Sequence, residues 1–86
     1  MSVVQQLKEQ LHHMSLEANR AAGGLGGFQN NFAQSSAQVQ ALISGSATRA
    51  DRDISELLDA AAKAVGDAVQ ALQIAAAGCA SYANQI

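Results

Sequence analysis

The sequence predicts an all-α protein, an antiparallel two-helix hairpin, and three observations lead to that prediction. The 86 residues include no proline. Alanine, glutamine and leucine, which favour helices, are abundant, whereas β-branched residues are sparse. Apolar or small residues recur at alternating steps of three and four along both halves of the chain, as on one face of a helix. A domain this small buries a modest core, so we expect two hairpins to pair into a four-helix-bundle dimer.

The first predicted helix covers about residues 3–43. Its apolar seam keeps its phase through the glycine-rich segment at residues 23–27, so Leu25, Phe28 and Phe32 are expected to face inward. Each glycine costs a helix about 1 kcal/mol relative to alanine, whereas each large apolar side chain contributes about 1.5–3 kcal/mol when buried. The alternative is a kink at residues 23–27. The seam consists of Val4, Leu7, Leu11, Met14, Ala18, Ala21, Leu25, Phe28, Phe32, Ser35, Val39 and Leu42.

A short turn is predicted at about residues 44–47. Gly45 can adopt the left-handed conformation that ends many helices, and Ser46 or Thr48 can cap the next helix. Because the turn is short, the two helices are expected to lie antiparallel, as one domain over residues 1–86.

The second predicted helix covers about residues 48–85. Leu57, Val69 and Ile74 lie beside its seam, so its apolar face is wider than a contact between two helices requires. A wide stripe indicates a bundle of more than two helices. The seam consists of Ile54, Leu58, Ala61, Val65, Ala68, Leu72, Ala75, Cys79, Tyr82 and Ile86.

Small residues are concentrated at one level of the predicted hairpin. The glycines of the first helix lie on its flanks and back, level with residues 64–68 of the second helix, and small residues allow helices to approach closely. We therefore hypothesise that a second hairpin crosses at this level. The glycines concerned are Gly23, Gly24, Gly26, Gly27 and Gly66.

No residue pattern in the sequence predicts catalysis, a cofactor or a metal site. The glycine segment lacks the lysine and the serine or threonine of a nucleotide-binding loop. His12 and His13 are read as exposed polar residues, and Cys79 as a small buried residue. The charges near the start of the second helix are read as a solvated helix end. We therefore expect the protein not to be an enzyme.

Charge and hydropathy limit the partners. The formal net charge is −2 and there is no basic block, so nucleic-acid binding is not expected. No apolar run predicts membrane insertion, and no positively charged start precedes an apolar segment. The sequence therefore predicts a cytoplasmic protein as synthesised, whose export uses no cleaved signal peptide.

The turn and the length of the chain resemble the WXG family of small type VII secretion proteins. That family joins two long antiparallel helices near the middle of the chain by a Trp-x-Gly turn. Here Ile43 stands at the tryptophan position, followed by Ser44 and Gly45. Family members or their partners often carry a tyrosine followed four residues later by an acid. Tyr82 matches the tyrosine, but Ile86 stands at the acidic position, so the export signal is partial.

The resemblance implies a role in type VII secretion, as a secreted substrate or as the helical targeting partner of a larger effector. The implied partners are a second copy, a related helical hairpin or the helical N-terminal region of an effector, together with the secretion ATPase. The alternatives are a cytosolic helical scaffold and a filament-forming hairpin subunit, neither with an export role. The predicted interface residues are Leu7, Leu11, Leu25, Phe28, Phe32, Leu57, Val69 and Leu72.

Overall fold

The computed structural model describes residues 2–43 and 49–86, without the side chains of residues 49–51. Helix α1 spans Val3–Ile43 and helix α2 spans Arg49–Gln85. The two helices pack against each other, and the described residues include no strand. The predicted all-α helical hairpin is therefore confirmed. Of the predicted turn motif, Ile43 is the last residue of α1, whereas Ser44 and Gly45 lie outside the described residues.

The hairpin is long and thin, with extents of 65 × 17 × 14 Å. Its radius of gyration is 19.3 Å, whereas a compact domain of this length has about 12 Å. Its accessible surface is 6193 Å², compared with roughly 4,800 Å² for a folded globular monomer of the same mass. The chain therefore exposes an unusually large share of its surface.

Helix α1 begins with a side-chain cap and continues without interruption through its glycines. The Ser2 hydroxyl accepts a hydrogen bond from the backbone N–H of Gln5 at 3.1 Å, which satisfies one of the unpaired donors at the helix start. The helix does not break at residues 23–27. A Cβ atom added at any of these four glycines would meet nothing within 4 Å, so packing inside the hairpin does not require glycine there.

The helices contact each other along a narrow line of residues, which we call the contact band. Its fully buried members are alanine or serine, whose small side chains allow two helix backbones to approach closely. They are Ser15, Ala22 and Ser36 in α1 with Ala76 and Ala83 in α2. The half-buried residues that alternate with them are Leu11, Ala18, Leu25, Gln29 and Phe32 in α1 with Leu58, Ala62, Val65, Val69, Leu72 and Cys79 in α2.

The predicted seam is correct in part, at its half-buried residues, which are Leu11, Ala18, Leu25 and Phe32 in α1 and Leu58, Val65, Ala68, Leu72 and Cys79 in α2. Leu25 and Phe32 are half-buried against α2, but Phe28 is 53% exposed, so the prediction that Phe28 faces inward is wrong. At the alternate positions the contact band uses the next residue along the chain, Ser15 where Met14 was expected and Ala76 where Ala75 was expected. Small residues occupy these positions because methionine or phenylalanine there would hold the helices apart.

Hydrogen bonds between the helices fix their relative position. The buried Ser15 hydroxyl donates to the backbone carbonyl oxygen of Ala76 at 2.9 Å. Nearer the turn, the Gln40 side-chain amide donates across to a carboxylate oxygen of Asp59 at 3.3 Å, and also to Ser36 Oγ within α1 at 2.9 Å. The bonds that cross between the helices fix their register. Large interlocking side chains do not fix it, because the fully buried positions hold only alanine and serine.

Candidate partner-binding surface

Most of the large apolar side chains that the contact band leaves out lie on one side of the hairpin, whereas Leu16 and Ile74 are exposed elsewhere. They precede contact-band residues by one position, which places them about a quarter turn around each helix. Because the helices are antiparallel, equivalent flanks of α1 and α2 lie on the same side of the pair. We call this surface the apolar face. It comprises Leu7, Met14, Ala21, Phe28, Ser35 and Val39 of α1 with Ile54, Ala61, Ala68, Ala75, Tyr82 and Ile86 of α2.

The apolar face is open to solvent along its length. Met14 is 54% exposed, Phe28 53% and Tyr82 50%. Leu42 and Leu57, at the turn end of the hairpin, extend the face at its outer edge and are also exposed. Large contiguous apolar surfaces that are exposed on a small protein mark interaction sites.

The opposite side of the hairpin carries more polar groups, although Leu16 of α1 is exposed there. The hydrogen bond from Gln40 to Asp59 crosses from α1 to α2 on that side. The ion pairs lie on outward, exposed surfaces of the helices: Lys63 Nζ is 3.0 Å from Asp67 Oδ2, and His13 Nε2 is 2.8 Å from Glu17 Oε1. The hairpin therefore has two broad sides of different character, one with hydrogen-bonding groups and one with apolar groups.

The two helices contribute differently to the apolar face. Helix α1 supplies bulky side chains, and the ring of Phe28 stacks on the half-buried ring of Phe32 with centroids 5.9 Å apart and planes at 25°. This contact holds Phe28 on the flank of the helix. Helix α2 supplies mainly alanine over its middle section, at Ala61, Ala68 and Ala75. In the middle of the hairpin, the α1 side of the face is therefore raised at Phe28, whereas the α2 side carries only small side chains.

Gly66 of α2 lies at the level of Phe28 and Gln29 of α1. A Cβ atom added there would lie 2.8 Å from the side-chain nitrogen of Gln29, so the Gln29 side chain reaches across to the backbone of α2. Gly66 is thus a packing position, unlike Gly23, Gly24, Gly26 and Gly27. The hypothesis that a second hairpin crosses at the glycine level stays a prediction.

The predicted interface residues divide into two groups. The exposed ones are Leu7, Phe28 and Leu57, which are free to contact a partner. The half-buried ones, which already pack within the hairpin, are Leu11, Leu25, Phe32, Val69 and Leu72. The interface predicted from the sequence did not include Met14 and Ile54, although both belong to the predicted apolar seams of the helices.

The structure gathers no set of side chains suited to chemistry among the residues it describes. No three His, Cys, Asp or Glu side chains in residues 2–43 and 49–86 are grouped so that they could hold a metal ion. His12 and His13 are exposed, and Cys79 is half-buried beside α1. An open groove at the start of α1 is lined by Val3, Gln6, Leu7, Glu9 and Gln10, with one carboxylate among them.

Within the described ranges, neither helix contains a stretch that is long and apolar enough to span a bilayer.

No protein-family model, curated protein or solved structure matches this chain. The fold and the surface by themselves define an all-α helical hairpin with one exposed apolar face.

Proposed function

We propose that the chain is a WXG-like type VII secretion protein that works by pairing through its apolar face. It acts as a secreted substrate, or as the helical targeting partner or chaperone of a larger effector. The observation that carries the proposal is the uncharged, exposed apolar face along a hairpin that is 65 Å long. A helical partner laid along this face removes side chains such as Met14 and Phe28 from water, and burial of each contributes about 1.5–3 kcal/mol.

The position of the turn agrees with the resemblance on which the proposal draws. Ile43, at the tryptophan position of the family's turn, is the last residue of α1, and α2 begins six residues later at Arg49. Two long helices of similar length joined at mid-chain are the architecture that the resemblance implies.

Tyr82 connects the apolar face with export. It is half exposed on the last turn of α2, at the open end of the hairpin. A partner on the apolar face covers the neighbouring turns of α2 and holds this end of the helix in a defined position. The pair then displays Tyr82 to the secretion ATPase, and because Ile86 leaves the signal of this chain partial, the chain travels with or presents a signal-bearing protein. The proposal contains no catalytic step.

Deletion of the type VII motor ATPase in the native host tests this function. The expected result is loss of the protein, or of the effector that copurifies with it, from the culture medium while the cellular amount is maintained. A cytosolic enzyme measured in the same medium controls for lysis. Equal release with and without the ATPase would overturn the proposal and would favour the cytosolic scaffold.

Two single substitutions connect the export assay to the surface. Met14→Gln removes an apolar side chain from the apolar face, whereas Leu16→Gln removes a similarly exposed one, 63% against 54%, from the other side of α1. We expect Met14→Gln to reduce export and Leu16→Gln to leave it unchanged. Equal effects of the two substitutions would contradict a role for this face.

A further inference from the structure

We propose that the glycine segment of α1, residues 23–27, opens locally while the rest of the hairpin stays folded, and that the side chain of Leu25 holds it closed. The inference concerns a motion of the single chain and does not depend on the proposed function. Three features of the hairpin support it: the backbone of the segment, the placement of the hydrogen bonds between the helices and the single large side chain among the glycines.

The four glycines of the segment weaken α1 without serving the packing of the hairpin. A Cβ atom at any of them would meet nothing within 4 Å, so close approach of the helices does not require them. Glycine loses more conformational freedom in a helix than alanine, which favours the open form about fivefold at each position. Four glycines therefore favour opening by on the order of 500-fold over four alanines. The section of α2 at the same level, residues 67–71, contains no glycine, so the weakness is confined to α1.

The side-chain hydrogen bonds between the helices lie on either side of this segment. Ser15 bonds to the carbonyl oxygen of Ala76 towards the open end, and Gln40 bonds to Asp59 towards the turn. Residues 18–35 of α1 are all described by the structure, and none of them makes a side-chain hydrogen bond or an ion pair. Both bonds can therefore persist while the segment between them leaves the helix. Local opening is favoured where so few interactions hold a segment in place.

Leu25 is the one large side chain among the glycines. It is half-buried in the contact band. The hydrogen bond of Ser15 on one side and the approach of Gln29 to α2 on the other place Leu25 level with Val69. Opening of the segment withdraws Leu25 from α2 and exposes the half-buried Val69, which directly follows Ala68 of the apolar face. The open form therefore adds apolar surface to the middle of the apolar face.

Amide hydrogen exchange of the wild-type full chain, followed residue by residue by NMR, tests the inference. The amides of residues 24–31 make the helical hydrogen bonds that span the glycine segment. After correction for intrinsic exchange rates, they should exchange at least about tenfold faster than the amides of residues 72–79, which surround the fully buried Ala76. Low concentrations of urea should accelerate the second set and leave the first unchanged, because local opening exposes little surface.

A matched pair of substitutions tests the role of Leu25. Leu25→Ala removes about half of the burial that a leucine can provide, so exchange of the amides of residues 24–31 should accelerate by about three- to tenfold. Leu11→Ala makes the same change at another half-buried leucine of the contact band, outside the segment. It lowers the stability of the whole hairpin but should change exchange of the same amides by less than about twofold. Helix content from circular dichroism verifies that both variants are folded.

Two results would overturn the inference. Equal exchange of the two sets of amides in the wild-type chain, or equal acceleration of both by urea, would mean that the segment opens only when the whole hairpin unfolds. Equal acceleration of residues 24–31 by Leu25→Ala and Leu11→Ala would mean that Leu25 does not hold the segment closed. Replacement of all four glycines by alanine should slow exchange of these amides by at least about fiftyfold. Unchanged exchange in that variant would likewise contradict the inference.

Discussion

The contact band and the apolar face run side by side along both helices, one residue apart in the sequence, and they are built from different side chains. At its buried positions the contact band has residues such as Ser15, Ala22 and Ala76. The apolar face has Met14 directly before Ser15 and Phe28 directly before Gln29, both more than half exposed. The fully buried positions between the helices therefore hold only small side chains, whereas large side chains such as Met14 and Phe28 lie where another molecule can reach them.

This difference explains how a hairpin without a large core keeps a defined shape. Alanine and serine bring the helix backbones close together, and the Ser15–Ala76 hydrogen bond fixes their register. Close contact of this kind removes little apolar surface from water, so the isolated hairpin forgoes most of the stabilisation that its leucine, methionine and phenylalanine side chains could provide. The apolar face is where that stabilisation is still available.

The largest expected effect comes from placing a bulky residue in the contact band. Ala76 is 1% exposed, so Ala76→Leu forces the helices apart and should lower the free energy of unfolding by about 2–3 kcal/mol. Urea denaturation at low protein concentration measures this. Ala77→Leu makes the same substitution at an exposed neighbour and should change stability by less than about 0.5 kcal/mol. Equal losses in the two variants would contradict the assignment of Ala76 to the contact band.

Removal of the buried hydrogen bond between the helices should have a smaller effect. Ser15→Ala leaves the Ala76 carbonyl with its own intrahelical hydrogen bond, so the expected loss is about 1 kcal/mol. Thermal unfolding followed by circular dichroism reports the change. Ser81→Ala, at an exposed serine of α2, is the control. If Ser15→Ala melted at the wild-type temperature, the bond would not hold the register.

Alanine substitutions at the glycine positions should stabilise the hairpin to different extents, according to the surroundings of each glycine. Gly23→Ala and Gly27→Ala place a Cβ in open space, so each should stabilise α1 by about 0.5–1 kcal/mol. Gly66→Ala should gain less, because its Cβ would lie 2.8 Å from the Gln29 side-chain nitrogen and would displace that side chain. Urea midpoints of the three variants measure the difference. A loss of stability in Gly23→Ala would show that the open glycines are needed in the fold.

The sequence predicted the class of fold because its signals are continuous along the chain. The absence of proline and the unbroken apolar periodicity through residues 23–27 were sufficient to predict two long helices, and α1 is continuous there. The inward side of each helix could not be predicted fully. Two stripes one residue apart have the same period, and hydrophobicity favours the stripe with Met14 and Phe28, whereas the closeness of the two backbones selects the stripe with Ser15 and Ala22.

The contacts that fix the hairpin gave little sequence signal. A serine such as Ser15 within a helix usually reads as a surface residue, and only the packing of α1 against α2, where its hydroxyl meets the Ala76 carbonyl, shows that it is buried. The approach of Gln29 to Gly66 likewise depends on the register between helices, which periodicity leaves open. The partner surface was partly predicted, since Leu7, Phe28 and Leu57 were named from the sequence, but its extension to Met14 and Ile54 required the observed burial.

Hydroxyl-radical footprinting of the wild-type chain at increasing protein concentration tests most directly whether the apolar face, and not another exposed surface, is the site of association. Each side chain is compared with its own oxidation rate at the lowest concentration. The oxidation rates of Met14 and Phe28 should fall as the concentration rises, whereas those of Leu16 and Ile74, which are at least as exposed in the single hairpin, should stay constant. Constant rates at Met14 and Phe28, or falling rates at Leu16 and Ile74, would contradict the account.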